Sequence, residues 1–275
     1  MRFPALMLAC LFFLTPSLHA QAGHDSWVTS WLTRVSATQA VQPHWVTPIA
    51  TVTPRLEQEF RFDVNHQVTP TGNVTNLDGG KGLELIPTSR TELLINLPPY
   101  FIHQNPKTVD GWGDASFTLK YRFFARPEKE GNGILTAFLG GSIPTGDHKN
   151  GAVSAVVTPT LAGGKGFGFF SVQTTLGGTL PVDSVATVGR TIVSNTAFQA
   201  HVLKKFWPEA EINSTAYFGG SHDGKTQTFI TPGLVIGRFP IHKRVAFVAG
   251  AGFQIAATHF NTYNHAFIGT LRMPF

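Results

Sequence analysis

The sequence alternates with a period of two, and it does so repeatedly. Reading back from Phe275, every second residue is Met273, Leu271, Gly269 and Phe267, with Pro274, Arg272, Thr270 and Ile268 between them. Ala115 to Phe124 sets Phe117, Leu119, Tyr121 and Phe123 against Ser116, Thr118, Lys120 and Arg122. Arg55 to Asn65 sets Arg55, Glu57, Glu59, Arg61, Asp63 and Asn65 against Leu56, Gln58, Phe60, Phe62 and Val64. This period places successive side chains on opposite faces of an extended strand. A charged face can point to water in a soluble sandwich or to the lumen of a membrane barrel, and alternation alone does not choose.

Other features favour the barrel. An apolar strand running to Phe275 is what the closing strand of a bacterial outer-membrane barrel commonly shows. Phe267, Leu271, Met273 and Phe275 are therefore expected to face lipid and to form the signal read by the barrel-assembly machinery. Met1-Arg2, the apolar run Phe3 to Leu14, Pro16 and the small residues around Ala20 and Ala22 predict a cleaved signal peptide over 1–22. The single cysteine, Cys10, lies within it, so the remaining chain has no thiol for disulfides, catalysis or metal binding. Phe at 23, Gly at 28 and only 13% charged residues are unlike a soluble domain. They suit a barrel with aromatics at the lipid interface and glycines at turns and crowded wall positions. The net charge of +5 is scattered, with no basic stripe, so nucleic acid is not an expected partner.

Twelve strand-like segments follow residue 52, separated by turn chemistry such as Thr88-Ser89-Arg90, Gly164-Lys165-Gly166, Trp207-Pro208 and Pro240 to Arg244. Short and long connections alternate along the chain, as in barrels whose short turns lie on the periplasmic side. With both ends on that side, the strand number must be even. The expected fold is all-β: a single antiparallel transmembrane barrel of twelve strands over 52–275, in the bacterial outer membrane. Residues 23–51, with Trp27, Trp31 and Trp45, are expected to form a periplasmic tail or a piece folded into the lumen.

Gly111-Trp112-Gly113-Asp114 leads into a strand containing Lys120-Tyr121-Arg122-Phe123, and Ile143-Pro144-Thr145-Gly146-Asp147 follows. These segments, in this order, resemble the barrel family named for the MetA pathway of phenol degradation. The resemblance spans about Thr53 to Phe275. It implies an outer-membrane transporter or channel, some members being linked to aromatic catabolism, and implies no catalytic residues. Pro274 departs from the usual terminal strand, because proline donates no ladder hydrogen bond.

Alternation predicts a lumen lined by Glu57, Glu59, Arg61, Asp63, Glu92, Lys120, Arg122, Glu211, Arg238 and Arg272. Mixed charge in a confined space can select solutes or can hold a barrel shut. The expected function is passive passage of small solutes, hydrophobic or aromatic ones among them. The alternative is a closed structural or adhesion barrel. A barrel hydrolase built on Ser142, Asp147 and His148 is the weaker third reading, since nothing in the sequence holds the three in reach. Eleven histidines are dispersed, and His222, His242 and His259 read as surface residues rather than metal ligands. Gly163 to Gly166 lacks the spacing of a phosphate loop. No cofactor is expected. The expected partners are outer-membrane lipid and lipopolysaccharide, the assembly machinery and the small solute.

Overall fold

The computed structural model describes residues 26–78 and 81–275. The wall consists of β1 (Glu59–Val68), β2 (Val74–Leu77 and Gly82–Leu85), β3 (Thr91–Asn96 and Tyr100–His103) and β4 (Gly111–Trp112 and Ala115–Arg126). It continues with β5 (Gly133–Ile143), β6 (Val156–Phe167), β7 (Phe170–Pro181), β8 (Arg190–Ala200), β9 (Phe206–Phe218), β10 (Thr226–His242), β11 (Val245–Ala256) and β12 (His265–Pro274). β2, β3 and β4 each come in two pieces, and each pair of pieces shares its neighbours. Pro98 and Pro99 interrupt β3, where two residues without N–H groups cannot extend the ladder.

Each strand pairs antiparallel with the next, and β12 returns to β1. That last pair runs from Glu59 opposite Pro274 to Val68 opposite His265. The result is a closed twelve-stranded antiparallel β-barrel without free edges. The Phe275 N–H donates to Gln58 C=O at 3.0 Å. In an antiparallel ladder the next residue back then points its backbone the other way. For Pro274 that is toward β11, whose pairing has already ended at Arg272 opposite Val248. The proline costs the closing seam no bond.

The outer face is apolar. Phe117, Leu119, Tyr121, Phe123 and Phe124 on β4 and Phe267, Leu271 and Met273 on β12 are all half exposed, and similar residues follow on every side. A bulge between Arg122 and Phe124 turns both Phe123 and Phe124 outward. An apolar belt this extensive exceeds what water tolerates and suits hydrocarbon. Among the described residues no helix is long and apolar enough to cross a membrane.

Strand borders differ from the sequence expectation in physical ways. The turn expected at Gly164-Lys165-Gly166 is wall, and β6 turns at Gly168, with φ +62°. A Cβ on Gly164 would lie 2.4 Å from Trp45 Cζ3, and one on Gly166 2.0 Å from Asn132 Nδ2. Those glycines make room for neighbours rather than for a turn. Trp207-Pro208 lies inside β9, opposite Val235 and Leu234. The turn there uses Leu203 and Lys204, both with positive φ. β10 runs through Pro240 to His242, and its turn is made at Lys243. The wall begins at Glu59 rather than at 52, because 52–58 belong to the lumen filling described below. The expected signal peptide, 1–22, lies outside the described residues.

The long connections share one end of the barrel. There the two halves of the sequence resemblance meet. The Asp114 carboxylate accepts Gly146 N–H at 2.9 Å and Ala152 N–H at 2.7 Å. Thr145 Oγ1 accepts Ala115 N–H at 2.8 Å, and Asp147 N–H donates to Trp112 C=O at 3.0 Å. A Cβ on Gly111 would fall 2.0 Å from Asp147 Oδ1. The two motifs form a single clamp that pins the 144–155 loop to β4. Asp114→Ala leaves two loop amides without an acceptor, a local loss of about 1–3 kcal/mol. Trypsin is then expected to cut after Lys149 several-fold faster, with the barrel itself unaffected, as followed by limited proteolysis and gel mobility.

Candidate functional site

A helix that the sequence did not announce lies across the short-turn end. α1 (Trp27–Ala40) starts at Ser26, whose hydroxyl accepts Thr29 N–H at 3.2 Å. The segment is rich in Val, Ser and Thr, so its intrinsic helix propensity is low. Tertiary contacts fix it instead. Trp31 Nε1 donates to Ile86 C=O at 2.9 Å, and Arg244 donates to Ser36 Oγ at 2.7 Å. Val35 packs with Leu56 and Ile86, all fully buried. The spacing of Trp31, Val35 and Thr38 was the available signal for this face.

From Val41 the chain enters the lumen, turns near Ile49 to Thr53, and returns to the wall at Glu59. We call residues 41–58 the plug. Gln42 bridges its two arms, donating to Leu56 C=O at 2.9 Å and accepting Leu56 N–H at 3.0 Å. Trp45, Val46 and Ile49 pack against Ile134, Trp207, Val235, Val248 and Ile268. Gly233 makes space for this, since a Cβ there would lie 2.6 Å from Ile49 Cδ1. Residues 41–51 thus lie inside the barrel, and α1 lies across its short-turn end.

The plug is irregular, so its backbone has no ladder partner. Buried peptide groups left unpaired are costly. Wall side chains supply the partners. Glu209 accepts Ile49 N–H at 2.9 Å, and Glu211 accepts Ala50 and Thr51 N–H at 2.7 and 2.5 Å. Glu92 accepts Glu57 N–H. Arg61 donates to the carbonyls of Pro48 and Ile49, and Arg272 to those of Thr47 and Pro48. Lys120 donates to Arg55 C=O at 3.3 Å, Gln173 to Val46 C=O at 2.9 Å and Thr136 to Pro54 C=O at 2.6 Å. Acids take the amides and bases take the carbonyls.

Ion pairs complete the network. Lys120 meets Glu92 at 2.7 Å and Glu84 at 3.8 Å, Arg61 meets Asp63 at 2.8 Å, and Arg55 meets Glu57 at 2.8 Å. Arg61 and Arg272 stand directly opposite each other on β1 and β12. Like charges in that position repel. Here both guanidiniums donate to Pro48 C=O, so the plug itself holds them together. At the level of Arg61, and near the short-turn end at Arg122, protein fills the lumen. Arg122 donates to Thr38 C=O and Gln42 Oε1, both at 3.0 Å, and to Ser89 C=O at 2.8 Å.

Glu59, Arg61, Asp63, Glu92, Lys120, Arg122, Glu211 and Arg272 all face inward from the wall and are buried. Glu57 is also buried but sits on the plug, not on β1. Arg238 reaches Glu57 at 3.6 Å with its side chain 46% exposed, at the short-turn rim. The wall residues Gln173, Gln199, Glu84 and Glu209 escaped the sequence reading, although Glu209 shares its strand face with Glu211. Ser142 lies on β5, while Asp147 and His148 lie in the clamped loop and are exposed.

At the entry of the plug, Glu128 in the β4–β5 turn accepts the His44 backbone N–H at 2.6 Å and pairs with its Nδ1 at 2.9 Å. Burial pushes the Glu128 carboxyl upward, but the His44 groups outweigh it and hold it below the ordinary glutamate range. This contact persists above that range and is lost as pH falls through the lowered value. Crevices of about 250 and 270 Å³ flank Trp45 here, beside the stacked rings of His201 and Trp207. Beyond the plug tip, in the long-loop half, lies a lumenal cavity of about 220 Å³. Its lining includes Val52, Leu94, Phe138, Val193, Lys81 and several threonines.

This architecture, a closed barrel with an apolar outside and a polar, occupied inside, is that of outer-membrane barrels. No family model and no curated protein matches the chain. Among solved structures it is similar to an outer membrane channel from Pseudomonas putida F1, at 15% identity and a TM-score of 0.56. That match covers 83% of this chain and 98% of that one. OmpT of Vibrio cholerae also matches, at 9% identity and a TM-score of 0.41, over 78% of this chain and 95% of that one. The first likeness bears on the fold, and the second is too distant to add to it.

Removing one member of a buried ion cluster strands the others. Lys120→Met leaves Glu92 and Glu84 without their cation and is expected to cost about 3–5 kcal/mol. Adding Glu92→Leu to it should recover a large part of that loss. Urea unfolding in micelles, followed by gel mobility, checks both changes.

Proposed function

We propose that the protein is an outer-membrane channel for small solutes, held closed by residues 41–58. The observation that carries this reading is the division of the lumen. One half holds a plug bound mainly through its backbone, and the other half holds a cavity lined by threonine, glycine and apolar side chains. A plug bound through its backbone can be released without unfolding the wall that grips it. The fold likeness to a structure described as an outer membrane channel supports the same reading. So does the resemblance of Gly111 to Asp114, Lys120 to Phe123 and Pro144 to Asp147 to the phenol-degradation barrel family, which points to hydrophobic or aromatic solutes. The half-exposed Phe267, Leu271 and Met273 fit the proposed lipid contact and assembly signal.

The density of the plug network favours a second reading, a permanently closed structural barrel. Planar bilayers separate the two. Glu211→Ala removes the acceptor of two plug amides, a loss of about 3 kcal/mol, which shifts a closed–open equilibrium about 100-fold. The wild type is expected to show rare discrete openings and the variant frequent ones. An absence of conductance and of solute flux in both proteins overturns the channel reading.

A further inference from the structure

Lys81 immediately precedes the second piece of β2, beside Asp63 and Glu84, and makes no hydrogen bond to the plug. It is only 6% exposed, and its Nζ has no hydrogen-bond partner among the described residues. Asp63 and Glu84 carry charge near it and each also faces another cation, while Glu84 Oε2 and both oxygens of the buried Asp78, three residues earlier, have no hydrogen-bond partner among the described residues. Asp63 takes Arg61 Nε through both oxygens, at 2.8 and 3.0 Å, and Glu84 faces Lys120 at 3.8 Å. Burying an ammonium without a partner is costly. Such a group sheds its proton or takes an anionic ligand that completes it, and the cavity beside it decides for the ligand.

Lys81 lines the 220 Å³ cavity beyond the plug tip. No carboxylate joins it in that lining. Leu94, Phe138 and Val193 supply apolar wall, Val52 of the plug closes one side, and Thr158 and Asn195 offer hydroxyl and amide groups. The volume lies below the roughly 300–1,000 Å³ of sites for drug-sized ligands, so it suits a molecule of about one ring. One buried cation, an apolar wall and no acid define a site for an anion with an apolar body.

We propose that this cavity binds a small monocarboxylate with an apolar body. The carboxylate sits on Lys81 Nζ, and the body lies against Leu94, Phe138, Val193 and Val52. This names the solute class of the proposed channel and in that respect rests on the channel reading. Because Val52 belongs to the plug, an occupant of the cavity touches the segment that closes the lumen.

The test uses the full mature chain in detergent micelles, with 4-fluorobenzoate and its neutral match 4-fluorobenzamide, titrated by fluorine NMR. The wild type is expected to bind the benzoate at least tenfold more tightly than the benzamide. Lys81→Met should abolish that preference, and Lys81→Arg should keep most of it. Equal binding of the two probes by the wild type overturns the site, whether or not the variants fold. A benzoate preference that survives in Lys81→Met also overturns it. Benzoate preference without flux in bilayers overturns the channel reading alone. Flux of neutral solutes without benzoate preference overturns the site alone.

Discussion

The structure depends on one constraint. An irregular stretch of backbone inside a barrel has neither water nor a neighbouring strand to satisfy its peptide groups. Residues 41–58 meet that constraint through side chains from across the wall. Glu209 and Glu211 reach in from β9, Arg61 from β1, Arg272 from β12, Gln173 from β7 and Lys120 from β4. Charges that would repel one another in an empty lumen, such as Arg61 and Arg272, become compatible once plug carbonyls lie between them.

The two faces of each strand thus answer two solvents. The outer face suits hydrocarbon and carries Phe, Leu, Ile and Met. The inner face meets another part of the same chain and carries whatever that backbone lacks. This explains why the lumenal charges are concentrated toward the plug, while the cavity in the long-loop half is lined mainly by threonine, glycine and apolar residues. Among the described residues that line the cavity, Lys81 alone is charged, which makes it chemically informative.

Much of the wall was legible in the sequence because period two is a direct consequence of strand geometry. Twelve strands, their antiparallel order and the split at Thr88-Ser89-Arg90 all follow from it. The turns were less legible, since glycine and proline have more than one use. Gly164 and Gly166 make room for Trp45 and Asn132, and Pro208 sits in a strand where its missing N–H does no harm. The plug and α1 were legible only as an irregularity, with Trp27, Trp31 and Trp45 suggesting packing. Its binding depends on residues more than 150 positions away, such as Glu211 to Thr51, and no local pattern encodes that distance. For the same reason Arg55 and Glu57 read as the first turns of a wall strand. They continue the alternation of β1, but the wall has not yet begun there.

Backbone hydrogen exchange tests the central claim most directly. If wall side chains satisfy the plug, the amides of Ile49, Ala50, Thr51 and Glu57 exchange slowly, at rates approaching those of the strands. The amide of Val153, in the exposed 144–155 loop, serves as the fast reference. Exchange of the four plug amides as fast as that of Val153, with the strand amides still protected, contradicts the account.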